Sequence, residues 1–134
     1  MPTSDRRERF EAFLALLNAR DFDSLAELGD ADLEFRSVFG ESEGKAAYTG
    51  IDGLRRWAEG VDDVWEAWKQ EVVEFQEVGD DQAVVVTRAT GTARASGVPL
   101  DSLTGNVLTW REGGGVVLDA YSDPREAFEA VGLP

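Results

Sequence analysis

The chain has 134 residues, with 27 acidic and 13 basic side chains, no His and no Cys, for a formal charge of -14. These counts exclude a disulfide framework, a thiolate zinc site and a Cys nucleophile, and remove the usual neutral-pH general base, leaving carboxylates, Tyr, Lys or Arg for any acid-base chemistry. The acid excess repels phosphate backbones and anionic bilayers, so neither nucleic acid nor membrane is an expected partner.

One domain over 1–134 is expected at this length. No apolar run is long enough to cross a bilayer and no apolar leader segment is visible, so a cytoplasmic location is expected by default. Lys45 and Lys69 are the lysines among many arginines, a bias that fits either a GC-rich coding sequence or a high-salt habitat.

Asp5 and Glu8 resemble a capping box, and Phe10, Phe13, Leu14 and Leu17 recur at helical spacing, which predicts a first helix to about Arg20. Asp23 can cap a short second helix through Ser24, Leu25 and Leu28, stopped by Gly29. Alternation over Leu33 to Phe39 predicts a strand with one buried face, followed by a polar loop from Gly40 to Gly50. From Ile51, the spacing of Leu54, Trp57, Ala58, Val61, Trp65 and Trp68 predicts a third helix with tryptophans along one face. Strands then follow at Glu71 to Val78, Gln82 to Arg94, Leu100 to Arg111 and Val116 to Tyr121. Gly79-Asp80-Asp81, Ser96-Gly97-Val98-Pro99 and Gly113-Gly114-Gly115 separate them as hairpin turns. Asp123 caps a final helix that has Pro124 at its first position and Gly132 at its stop. The order implies an α+β domain in which helices cover one face of a curved antiparallel sheet. A cone of that kind encloses a cavity.

Three stretches resemble the SnoaL-like group of the NTF2-like superfamily: Tyr48 to Trp57, Asn106 to Gly113 and Leu118 to Phe128. The resemblance covers nearly the whole chain and implies an NTF2-like cone, a curved sheet wrapped by N-terminal helices around an internal cavity. The superfamily includes polyketide cyclases, ketosteroid isomerase, scytalone dehydratase and limonene epoxide hydrolase, beside non-enzymatic binders and transport factors. It therefore implies either a cofactor-free isomerase, cyclase or epoxide hydrolase-like enzyme acting on a small hydrophobic molecule, or a protein that holds such a molecule unchanged. A homodimer through the convex sheet face is the third implication. Many relatives carry His where this chain has Asn106; an amide cannot exchange a proton near neutral pH, which argues against His-dependent chemistry.

Arg88 interrupts an apolar strand, where a fixed cation is expensive unless paired. It either pairs with Asp119 or Asp101 inside the cavity, orienting a catalytic carboxylate, or faces solvent on the convex side. Asp119 and Tyr121 lie two apart on the last strand and share a face. Burial would raise the pKa of Asp119 towards one useful for proton transfer, and Tyr121 could donate to an oxyanion. The other reading is a structural Tyr beside a solvated or salt-bridged Asp. Asn106 shares a face with Ser102, Thr104, Leu108 and Trp110, a mixture suited to a pocket wall. Trp57, with Trp110, is expected among the ligand contacts if not simply core packing. No metal site and no cofactor are expected: nucleotide loops, calcium loops and Ser-His-Asp arrangements are absent from the sequence.

Overall fold

The computed structural model describes residues 2–27, 33–37, 46–112 and 115–133. Helix α1 spans Pro2–Asn18. Because the helix starts at Pro2, whose ring fixes a helical φ, Asp5 lies within it and not at its cap. Helix α2, Phe22–Glu27, is capped by Asp21 where Asp23 was expected: Ser24 N donates to Asp21 Oδ1 at 3.1 Å and Ser24 Oγ to Oδ2 at 2.8 Å. The expected stop at Gly29, the strand end at Val38 and Phe39, and the loop over 40–45 lie outside the described residues.

Strand β1 is Glu34–Ser37, β2 is Ala46–Thr49 and helix α3 is Gly50–Val64. Strands β3 (Trp65–Val78), β4 (Gln82–Ala93), β5 (Pro99–Trp110) and β6 (Val116–Tyr121) follow, then helix α4, Pro124–Ala130. Three expectations need correction. Ala46–Thr49 pairs with β1 as a strand where a loop was expected. The third helix stops at Val64 and runs straight into β3, so Trp65 and Trp68 belong to a strand. The sheet is curved and open in the order β2-β1-β6-β5-β4-β3, and it is mixed, because β1 runs parallel to β6.

The last helix forms as the sequence predicts. Pro124 occupies its first turn, Arg125 N donates to Asp123 Oδ1 at 2.9 Å, and Gly132 takes φ +82° just beyond its end. Its position differs from expectation, however. Helices α1, α2 and α3 contribute Phe10, Phe13, Leu14, Leu17, Leu25 and Leu54 to a core against the concave sheet face. Helix α4 instead buries Ala127 with Val84 and Val107 on the convex face.

Arg20 joins α1 to α3. Its backbone has φ +57°, its Nη1 donates to Leu17 O at 2.7 Å, and its guanidinium grips the Asp62 carboxylate, with Nε to Oδ2 at 2.9 Å. Those hydrogen bonds hold the Asp62 carboxyl below its ordinary 3.8 against the opposing effect of burial. A depressed carboxyl pKa stabilises the fold above the unfolded value, and that contribution disappears as pH falls through the folded one. Asp62→Asn should therefore lower the urea midpoint at pH 7, with the two midpoints converging towards pH 3. The carboxylate is 40% exposed, so the difference should stay below about 1 kcal/mol.

Candidate functional site

Register decides which side chains meet inside the sheet. Directly opposed residues of neighbouring strands share a face, and the pairs Val85↔Asn106, Thr87↔Thr104 and Ala89↔Ser102 set the concave side of β4 and β5. The pairs Leu108↔Leu118 and Asn106↔Ala120 extend that side onto β6.

A cavity of about 240 Å³ lies between this face and the helices. Helix α1 supplies Phe10, Phe13, Leu14 and Leu17 to its wall, and α3 supplies Leu54, Trp57 and Val61. Strand β3 adds Trp65 and Trp68. The indole of Trp57 stands edge-on to Trp68 at 5.2 Å and to Phe35 at 5.0 Å, favourable geometries for rings whose faces and edges carry opposite partial charge. Among the described lining residues there is no Asp, Glu, Lys, Arg or Tyr; the polar members are Gln70, Ser102, Thr104 and Asn106.

Three of these, Gln70, Thr104 and Asn106, are linked below the surface through Thr87. Asn106 Nδ2 donates to Val85 O and to Thr87 Oγ1, both at 3.2 Å. Thr87 Oγ1 lies 2.7 Å from Thr104 Oγ1, and Gln70 Nε2 approaches it at 3.5 Å. The backbone of Gln70 is fixed from outside by Asn18, whose Nδ2 donates to Gln70 O at 2.7 Å and whose Oδ1 accepts from Gln70 N at 3.0 Å. The end of α1 thus covers backbone groups on the edge strand β3, which would otherwise be open to pairing.

The structure divides the residues expected at the site. Asn106 and Trp57 line the cavity. Trp110 lines a second hollow of about 350 Å³, where the Arg6 guanidinium sits 4.1 Å above its ring and also pairs with Glu77 at 3.1 Å. Asp119, Tyr121, Arg88 and Asp101 are not among the described residues that line the cavity. Of the two readings open in the sequence, the geometry favours a solvent-facing Arg88 and a salt-bridged Asp119 over a carboxylate oriented by Arg88 within the cavity. In β6, Leu118 and Ala120 are in phase with the concave face, so Asp119 and Tyr121 point the other way. Asp119 instead pairs with Arg36, whose Nη2 donates to Oδ2 at 3.3 Å. Tyr121 packs with α4; burial first, then the Asp119 charge, pushes its phenol above the ordinary value of 10.0. Arg88 meets Asp101 at 3.5 Å with both side chains well exposed.

Thr87 and Gln70 are the site residues that sequence reasoning missed. The signal for Thr87 was available: it alternates in phase with Val85 and Ala89, opposite the polar face already recognised on β5. Gln70 carried no such signal, because a bulge on each side of it obscures the phase of β3. Among the described residues no group of acidic, Cys or His side chains could hold a metal ion, and no helix is long and apolar enough to cross a membrane.

The sequence profile of the SnoaL-like domain matches residues 10–119. A search of curated protein sequences returns no match. Among solved structures, a protein of ketosteroid isomerase-like fold from Catenulispora acidiphila, crystallised with trimethylamine, is 20% identical with TM-score 0.68, covering 95% of this chain and 94% of its own. TerC, co-crystallised with polyporic acid, is 20% identical with TM-score 0.70 over 92% and 95%. An NTF2-like protein from Burkholderia pseudomallei is 17% identical with TM-score 0.70 over 94% and 96%. Likeness at this level establishes the NTF2-like fold and leaves activity to the chemistry of the site.

Proposed function

Because the chain belongs to the SnoaL-like domain family, we propose that it is a small-molecule pocket protein that holds a hydrophobic ligand in the cavity between α1, α3 and the concave sheet face. The observation carrying this reading is the cavity itself, about 240 Å³ of largely aromatic and aliphatic wall with a few convergent polar groups at Thr104 and Asn106. That combination is the usual composition of a ligand site. Co-crystals of TerC with polyporic acid and of the Catenulispora protein with trimethylamine support it by fold likeness.

Holding the ligand is favoured over converting it. The isomerase or cyclase alternative calls for a carboxylate at the ligand, and Asp119 is turned to the opposite face and bonded to Arg36. Asp119→Asn should therefore leave ligand affinity unchanged. It should shift stability by less than about 1 kcal/mol, as expected for a partly exposed ion pair. A variant that abolished turnover of an identified substrate would restore the enzymatic reading.

Native mass spectrometry of the purified protein tests the proposal, comparing gently ionised with denatured samples. A small molecule retained only in the gentle spectrum, and recovered unaltered after prolonged incubation, is the expected result. Recovery of a chemically changed product would overturn simple binding. The same spectra report assembly. We infer a homodimer through the convex face, supported by Leu103, an apolar side chain left 42% exposed there beside Arg88; monomer at micromolar concentration would remove it.

A further inference from the structure

The hydrogen-bond order beneath the cavity has a direction, and that direction limits what can bind. Val85 O can only accept, so the Asn106 amide atom beside it must be the nitrogen. Neutral Asn carries two amide protons, and the second goes to Thr87 Oγ1. Both donors of Asn106 are thereby engaged, and Oδ1 accepts no bond among those described.

Thr87 follows from this. Its hydroxyl is fully buried and already accepts from Asn106, so its single proton needs an acceptor inside the protein. Gln70 approaches Thr87 Oγ1 with a donor nitrogen and so offers no acceptor; Thr104 Oγ1, 2.7 Å away, is the acceptor. Thr104 then holds a proton with no partner among the described bonds, and it lines the cavity. Thr104 and Asn106 lie two apart on β5, on one face, and both converge on the same Thr87 oxygen.

Resting on the ligand-binding reading above, we propose that the cavity selects an uncharged molecule carrying a hydroxyl on an apolar body. That hydroxyl accepts from Thr104 Oγ1 and donates to Asn106 Oδ1. An ether can only accept, so it satisfies Thr104 and leaves Oδ1 unpaired. A carboxylate also accepts from Thr104, but sets its lone pairs against Oδ1 and buries a charge beside a wall with no cation among its described residues. A hydrocarbon leaves both groups unpaired, with the cost of burying them away from water.

Equilibrium dialysis of the full chain against naphthalene, 2-methoxynaphthalene, 2-naphthol and 2-naphthoate tests the inference. The expected order places 2-naphthol about tenfold tighter than naphthalene or the ether, on the scale of the hydrogen bonds gained, and 2-naphthoate weakest. Thr104→Val and Asn106→Leu each remove one of the two hydrogen bonds and should each cut the preference for 2-naphthol over naphthalene, while Thr104→Ser keeps it in full. If these variants fail to fold, the ligand series on the unaltered protein still decides. Equal or tighter binding of the ether or the carboxylate overturns the hydroxyl selectivity and leaves the cavity as a ligand site. Binding of none of the four overturns the ligand-site reading itself.

Discussion

Gly105→Val is expected to destabilise the protein by about 3 kcal/mol or more, at the upper end of what overpacking a tight contact costs. Even the Cβ of an alanine at this position would lie 2.8 Å from both Ala127 Cβ and Pro124 Cα. Neither neighbour can yield easily. Pro124 opens α4 directly after the Asp123 cap, and Ala127 is fully buried between α4 and the sheet. The helix must therefore lift from the convex face, loosening its contacts with Val84, Val107 and Tyr121. Gly105→Ala should show the same effect with smaller size. The readout is the urea midpoint at constant slope. Because α4 and the cavity lie on opposite faces, the fraction that remains folded should bind ligand as before. A Gly105→Val protein with unaltered midpoint would mean that α4 does not pack where it is described.

The contrast between β5 and β6 explains which parts of the site were legible in the sequence. On β5 the polar residues Ser102, Thr104 and Asn106 alternate with others, so their common face could be read directly. On β6, Asp119 and Tyr121 were placed together on one face, as they are, but which face could not follow from that strand alone. Val117, Leu118 and Ala120 are all buried, and helices pack on both sides of the strand: Leu118 and Ala120 belong to the core under α1–α3, and Tyr121 packs with α4. A strand covered on both faces loses its alternation signal. Arg88 leaves two readings open in the sequence for the same reason: its apolar neighbours Val84 and Val86 on the same side of β4 are buried, while Arg88 itself stays exposed.

The error at the third helix has a geometric cause. Trp65 and Trp68 are three apart, which suggests a helix, and yet both line the cavity from a strand. A bulge between Glu66 and Lys69 places an extra residue in β3, with Ala67 at φ +57°, so the side chains before and after it return to one face. The second irregularity, between Val72 and Glu74, does the same for Val72 and Phe75, both packed on the core. Two bulges thus imitate helical spacing within a strand. The sequence carried a further mark in Gly91 on β4, where a Cβ would meet Trp68 Cα at 3.2 Å and Glu66 O at 3.3 Å. Glycine within a strand often signals such an approach of backbone to backbone.

The bulge also brings Trp68 into the cavity wall, and Trp68→Ala should cost about 3 kcal/mol, near the lower limit for a large aromatic removed from a core. The indole is 8% exposed and packs edge-on to Trp57, a contact worth about 0.5–1.5 kcal/mol beyond the area it buries. The loss stays near the lower limit because part of the ring already borders the cavity, where it has no protein atoms to lose. The space left should merge with the existing 240 Å³. Free indole should then raise the melting temperature of the variant more than that of the unaltered chain, since a ligand that binds only the folded state stabilises it according to its concentration and affinity. Equal shifts in the two proteins would show that the wall had collapsed into the gap. A variant as stable as the original would place Trp68 outside the cavity wall altogether.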